Sequence, residues 1–311
     1  MTPEIAAFGV VTTDLLLQPV DALPPRGQLA FVSNLEMRMG GLAGVSAAVA
    51  SQLGAKAAFI GRVGADGLGA FVLETLGKYG VMTDWVVRSA EHATSATMVL
   101  IGADGERTFL HHIGANGHVT DADIPWDAIR GAKVLHWAGP AIMPGLQGMP
   151  IGRALRKARE LGITTSMDTC FDGSGVWFPH IEHALPELDI VMSSLEEARH
   201  YTGKQDADAI ADFYLSFGPK MAVIKLGDQG LLAASGDERF RIPAHRVPVV
   251  DTTGAGDAAC AGFLYGYTRD WGLERSARLA NAVGGLTVQA FGGCDAGVTL
   301  ERAIALMECD S

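Results

Sequence analysis

The sequence predicts an α/β fold in which a mostly parallel sheet is covered by helices, with a small second β layer set apart from it. Three observations carry this. Short apolar runs rich in Val, Ile and Phe alternate with longer amphipathic stretches along most of the chain. These runs are continuous, as expected of strands buried on both faces. Two segments, 14–39 and 94–113, break the alternation and read as β structure that leaves the main sheet.

Residues 5–11 read as the first buried strand, and the Ala-rich segment 41–53 as a helix that stops at Gly54. A strand is expected at 57–63, a helix at 68–79 ended by Gly80, and a short strand at 85–88. Strands at 133–137, 163–168, 189–192 and 221–226 continue the series, with helices at 151–161, 195–201 and 206–217. After Asp257 the chain is almost wholly helical, at 258–268, 274–289 and 300–308. In the first break, Pro19, Pro24, Pro25 and Gly27 precede a short alternating run at 29–33. The second break reads as a hairpin of strands 96–101 and 107–112 around Ala103-Asp104-Gly105, since Asp-Gly between β-prone runs favours a tight turn. No Pro/Ser-rich linker and no repeat divides the chain, so one domain over 1–311 with a small excursion is expected.

Composition narrows the function. Of 311 residues 48% are hydrophobic and 19% charged, which suits a large packed core. The net charge of −11 repels phosphate backbones and anionic lipid, so neither nucleic acid nor membrane is an expected partner. Cys170, Cys260, Cys294 and Cys309 form no C-x-x-C pair and are expected as scattered buried thiols. No basic region precedes an apolar stretch at the N-terminus, and no apolar run approaches the roughly 18 residues of a membrane helix. A cytoplasmic protein is expected.

One segment carries chemistry. In residues 247–260, VPVVDTTGAGDAAC, an apolar strand end meets Asp251-Thr252-Thr253, then Gly254-Ala255-Gly256, then a helix. Small residues at a helix N-terminus let backbone N–H groups approach an anion, and the helix dipole favours negative charge there. Asp257, one residue further, is placed to accept a proton from a substrate hydroxyl. Each piece has a structural explanation of its own, because Gly-x-Gly junctions are common and an Asp in a first helical turn complements the dipole. No Walker A lysine is present.

The segment DTTGAGDAACAGF resembles the C-terminal signature of the ribokinase-like (PfkB) carbohydrate kinases. A second signature of that family is similar to Gly40-Gly41 followed by Leu53-Gly54 and Ile60-Gly61-Arg62-Val63-Gly64-Ala65-Asp66-Gly67-Leu68-Gly69. Asp14, Gly105-Glu106-Arg107-Thr108-Phe109 and Val223-Ile224-Lys225-Leu226-Gly227 follow the family order, so the resemblance spans essentially the whole chain. It implies a three-layer αβα sandwich with a mostly parallel sheet and a small β-sheet lid formed by the two excursions. It also implies an ATP-dependent kinase acting on a sugar hydroxyl.

The resemblance assigns roles by position. Asp257 is the expected catalytic base, and Gly254, Ala255 and Gly256 the anion hole. Asp14, Gly40, Gly41 and Val45 fall at substrate positions; Ser194, Lys225, Gly227 and Asn281 fall on the nucleotide side, with Gly254 and Gly256 meeting the phosphates. Glu197 matches an acid associated indirectly with magnesium. Asp251 and Thr253 match positions that in many members hold a monovalent cation, potassium. Lids of this type pair between subunits, which implies a homodimer.

Two departures from the pattern stand out. Val45 replaces an Asn that commonly touches substrate hydroxyls, and Ser194 replaces the Asn of an Asn-x-x-Glu motif. Leu42 stands where members that act on sugar phosphates often place Lys, which favours an unphosphorylated acceptor of ribose-, fructose- or keto-deoxy-sugar type. His111, His112 and Asn116 are candidate donors to hydroxyls from the lid, with at most one of the adjacent histidines facing the ligand. A nucleoside kinase, with Phe31, Phe109 and Ile113 as an apolar slot, is the alternative within the family; a non-catalytic sugar or nucleotide binder is the alternative outside catalysis. A nicotinamide oxidoreductase is disfavoured, because the glycines at 61, 64, 67 and 69 do not follow Gly-x-Gly-x-x-Gly.

Overall fold

The computed structural model describes residues 2–308; Cys309 lies outside them. Along the chain, β1 (Ile5–Gly9) runs through the core and leads directly into β2 (Thr12–Gln18) and β3 (Asn34–Gly40). Helix α1 (Leu42–Gln52) returns the chain to β4 (Ala57–Ile60), followed by β5 (Arg62–Gly64), α2 (Gly67–Lys78) and β6 (Val87–Ser89). The hairpin strands β7 (Ala96–Ile101) and β8 (Arg107–His112) come next. The short α3 (Trp126–Ile129) precedes β9 (Val134–Ala138), α4 (Met149–Glu160), β10 (Thr164–Asp168) and β11 (Ile190–Ser194). Then follow α5 (Leu195–Thr202), α6 (Ala207–Ser216), β12 (Met221–Lys225), β13 (Leu231–Ser235) and β14 (Arg239–Ile242). Helices α7 (Ala255–Tyr267), α8 (Gly272–Thr287) and α9 (Leu300–Glu308) complete it.

The main sheet runs β14-β13-β12-β11-β10-β9-β1-β4. From β4 to β12 every pairing is parallel, whereas β13 and β14 join antiparallel at one edge. Along β1, Ile5 and Ala7 enter a core shared with α1, α7 and α8, while Ala6 and Phe8 enter the opposite core beneath α4 and α6. That double burial produces the continuous apolar runs of the sequence. Among the described residues no helix is long and apolar enough to cross a membrane.

The second layer is a four-stranded sheet, β3-β2-β7-β8. Its hairpin matches the expected strands at 96–101 and 107–112. The other excursion differs from the expected one. Residues 29–33 are irregular, with Leu29 and Phe31 exposed, and the strand begins at Asn34. The reason is register: β2 pairs from Gln18 opposite Asn34 to Thr12 opposite Gly40, so the preceding residues have no partner strand. Residues 57–63 form two strands in different sheets, divided at Gly61, where a β-carbon would meet the Gly9 carbonyl oxygen at 2.8 Å.

Candidate active site

The site forms where the strands of the main sheet end and the small sheet covers them, the usual place for a ligand in an open parallel sheet. After β1 the chain passes through Val10 and Val11 into β2, which carries Asp14 out over the Gly40-Gly41 turn. The Thr12 hydroxyl donates to Asp14 Oδ1 at 2.8 Å. Burial raises the Asp14 carboxyl above its ordinary range, and hydrogen bonds from Thr12 and Thr97 oppose that rise. A β-carbon on Gly41, at φ 87°, would meet Val11 Cα at 2.5 Å. This turn therefore needs glycine both for its backbone and for its close approach.

Opposite lies the start of α7. Gly254 caps the helix in the left-handed region at φ 73°, and Asp257 lies in the first turn, half-buried. The backbones of Gly254 and Gly293 touch: a β-carbon on Gly254 would come within 2.4 Å of Gly293 Cα. Val45 on α1 packs its Cγ1 against the same two glycines and is 2% exposed. At the position where the family resemblance implies an Asn, the isopropyl group of Val45 thus packs under the turn at Gly254. Asp14, Gly40, Gly41, Val45, Gly254 and Asp257 line one cleft, together with Arg107 and Asp251.

Lys225 at the end of β12 points under this floor. Its Nζ lies 2.7 and 2.8 Å from the two oxygens of Asp168 at the end of β10, and 3.6 Å from Cys260 Sγ. A β-carbon on Gly256 would come within 3.2 Å of Nζ. Burial opposes the charge on Lys225, but Asp168, Cys260, Glu197 and Asp257 together outweigh it and hold its pKa above the ordinary lysine range. Asp257 is pushed up to about 7, first by burial and then by the Asp168 charge, against the opposing pull of Lys225.

Asp251 is 2% exposed and accepts at both oxygens. Oδ1 takes the Thr253 N–H at 2.7 Å and Nη2 of Arg107 at 2.7 Å; Oδ2 takes the Gly292 N–H at 3.0 Å. Nη1 of Arg107 also donates to the Thr253 hydroxyl. Burial alone would raise the Asp251 carboxyl, but these donors hold it below the usual range. Oδ1 already accepts from two donors and the Arg107 guanidinium already brings the positive charge, so Asp251 and Thr253 as they stand do not fit a monovalent cation beside that guanidinium. In the sequence Arg107 is marked only by its place in the Gly105–Phe109 match.

The remaining candidates divide. Ser194 and Lys225 are register partners on neighbouring strands. Ser194 caps α5, accepting the Glu197 N–H at 3.2 Å, while Glu197 Oε2 accepts from Ser194 N–H at 3.4 Å and from the Thr169 hydroxyl at 2.8 Å. Gly227 follows β12 with φ 63°. Asn281 on α8 donates from Nδ2 to the Pro243 carbonyl at 2.8 Å and is not among the residues lining the cleft. Asn116 is fully buried and joined to the Val11 backbone, so it is a structural residue and not a donor to ligand. His111 and His112 are exposed and do not line the cleft. Cys170, Cys260 and Cys294 are buried free thiols, as expected.

The sequence profile described as pfkB family carbohydrate kinase matches residues 2–299. The chain belongs to the PfkB family of carbohydrate kinases. It is 31% identical to fructokinase-1 of Oryza sativa subsp. japonica, over 86% of this chain and 88% of that one. It is 29% identical to 2-dehydro-3-deoxygluconokinase of Bacillus subtilis, over 86% of each. The structure of Arabidopsis thaliana ribokinase complexed with ribose and ATP superposes with a TM-score of 0.86 at 23% identity, covering 99% of both chains. As a PfkB member the protein is a sugar or nucleoside kinase, a transferase with the ribokinase-like architecture.

Proposed function

We propose that this PfkB kinase transfers a phosphoryl group from ATP to a hydroxyl of an unphosphorylated sugar, with Asp257 as the base. The observation that carries this reading is that Asp257, Gly254, Asp14 and Gly40 line a single cleft. Asp14 accepts hydrogen bonds from acceptor hydroxyls and fixes which one faces Asp257. Asp257 takes the proton from that hydroxyl as its oxygen attacks, and a pKa of about 7 suits a base working near neutrality. Backbone N–H groups at the start of α7 stabilise charge on the transferred phosphoryl group, with Ala255 and Gly256 leaving room for close approach. Lys225, protonated beneath Gly256, adds fixed positive charge to that floor.

The nucleotide side is formed by Ser194, Lys225 and Gly227, with Asn281 further out on α8. Bound magnesium neutralises phosphate charge; Glu197 would hold it through water, since Oε2 is already shared by Thr169 and the Ser194 N–H. The sugar preference rests on two features of the cleft. Its cationic residues, Arg38 and Arg107, are engaged by Glu36 and Asp295 and by Asp251, leaving no free cation among the described residues lining it for a phosphorylated acceptor. Among the described residues lining it none is aromatic, whereas a nucleobase favours a stacking platform. Phe31 and Phe109, the expected base slot, are 90% and 59% exposed.

The small sheet acts as the lid. Its inner face carries Asp14, Leu16, Arg38 and Val99 toward the cleft. On its outer face Met37, Leu15, Met98 and Leu110 fall in one cross-strand row, and Met37, Met98 and Leu110 are 42%, 43% and 45% exposed. An apolar stripe of this kind suits pairing with the lid of a second copy. Testing the acceptor requires a panel of ribose, fructose, 2-keto-3-deoxygluconate and nucleosides with ATP and magnesium, read by ADP release. Turnover confined to nucleosides would overturn the sugar reading.

A further inference from the structure

We propose that Arg107 is a tethered cation: its guanidinium acts at Asp251 and Thr253 in place of a monovalent metal ion, so docking of the small sheet, and not potassium, assembles the cradle. Arg107 begins β8, while Asp251 lies 144 residues further along the chain. The acid is 2% exposed and the arginine 23%, so the charge pair closes over a buried carboxylate from the solvent side. A buried carboxylate without a positive partner is costly, and here the partner is carried by the small sheet.

The contact reaches the cradle in short steps. Asp251 holds the Gly292 N–H through Oδ2, and the next residue, Gly293, lies with its backbone against Gly254, the cap of α7. Displacing Arg107 therefore loosens the loop on which the α7 N-terminus rests. The other excursion adds a parallel clamp: Arg38 on β3 bonds to Asp295, in the loop after Gly293, and to Glu36 at 2.7 Å. Asp14 and Arg38 face each other across β2 and β3. The strand that grips the acceptor and the arginines that fix the cradle thus belong to one rigid layer. Closing over the acceptor and completing the anion hole become one event, which limits phosphoryl transfer to water.

This inference rests on the kinase reading only for its effect on turnover, so the test has an arm that needs no turnover. Melting of the full chain is compared in potassium, sodium and tetramethylammonium chlorides at equal ionic strength. Wild type should melt at the same Tm in all three, whereas Arg107→Ala should melt lower and gain a potassium-specific rise. In steady-state assays wild-type turnover should differ by less than about twofold between potassium and tetramethylammonium, and Arg107→Ala should lose on the order of 10²-fold in kcat. Millimolar guanidinium or potassium should restore at least about tenfold of that loss, and Arg107→Lys should be intermediate. A potassium-specific Tm rise or clear potassium activation in wild type would overturn the proposal. So would a folded Arg107→Ala that keeps full turnover in tetramethylammonium, or one that neither ion restores. Absence of turnover with every acceptor would instead count against the kinase reading, and the melting comparison would still decide the role of Arg107.

Discussion

A β-carbon on Gly40 would lie 2.0 Å from Oδ2 of Asp14. The carboxylate proposed to hold the acceptor therefore rests on a bare backbone position, and the two residues are sterically coupled. Gly40→Ala must push Asp14 aside or move the strand. We expect kcat/KM for the acceptor to fall on the order of 10²-fold, with the KM for ATP nearly unchanged. Equal losses on both substrates would show that the turn serves the fold and not the acceptor.

The Asp257 carboxyl is pushed up to about 7, so the proposed base should shape the pH profile. A base acts only when ionised, so kcat/KM should rise with pH through about 7 and then level off. The linked stability runs the other way. The unfolded chain ionises this group near 3.8 and the folded chain near 7, so stability falls as pH climbs between those values. Asp257→Asn should remove that fall and raise Tm at pH 8 relative to wild type. Calorimetry of the two proteins across pH checks the sign.

Lys225 and Asp168 form a buried pair under the N-terminus of α7. Lys225→Met leaves Asp168 buried without its cation and should cost about 3–5 kcal/mol in urea unfolding. Lys225→Met with Asp168→Leu should recover much of that loss. Because Lys225 lowers the Asp257 pKa, the single substitution should also move the acid limb of the rate profile to higher pH. An unmoved limb would separate Lys225 from the base.

The outer face of the small sheet offers a test of assembly. Met98→Glu puts a charge in the middle of the exposed apolar row. Light scattering should report a dimer for wild type and a monomer for the variant at equal concentration. A wild-type monomer would contradict the pairing of lids.

Much of this was legible in the sequence, for physical reasons that also explain the gaps. The parallel strands were readable because burial on both faces leaves continuous apolar runs. Strands β13 and β14 were not: three of the five residues of Leu231–Ser235 are alanine or serine, and the segment carries no strong β signal. Strand β2 carries no alternation in the sequence, since Leu15, Leu16 and Leu17 are consecutive, although β3 alternates cleanly at Leu35, Met37 and Met39. The cradle was readable because its residues are contiguous. The groups that complete it come from afar: Arg107 reaches Asp251 over 144 residues, and Lys225 reaches Asp168 over 57. Val45 looked like a lost contact until its packing on Gly254 and Gly293 was visible.

If Asp257 removes the proton from the acceptor, Asp257→Asn should separate turnover from acceptor binding measured on the same preparation. The kcat should fall about 10²–10⁴-fold while calorimetric affinity for the sugar stays within about threefold of wild type. An Asp257→Asn protein that keeps near wild-type turnover would contradict it.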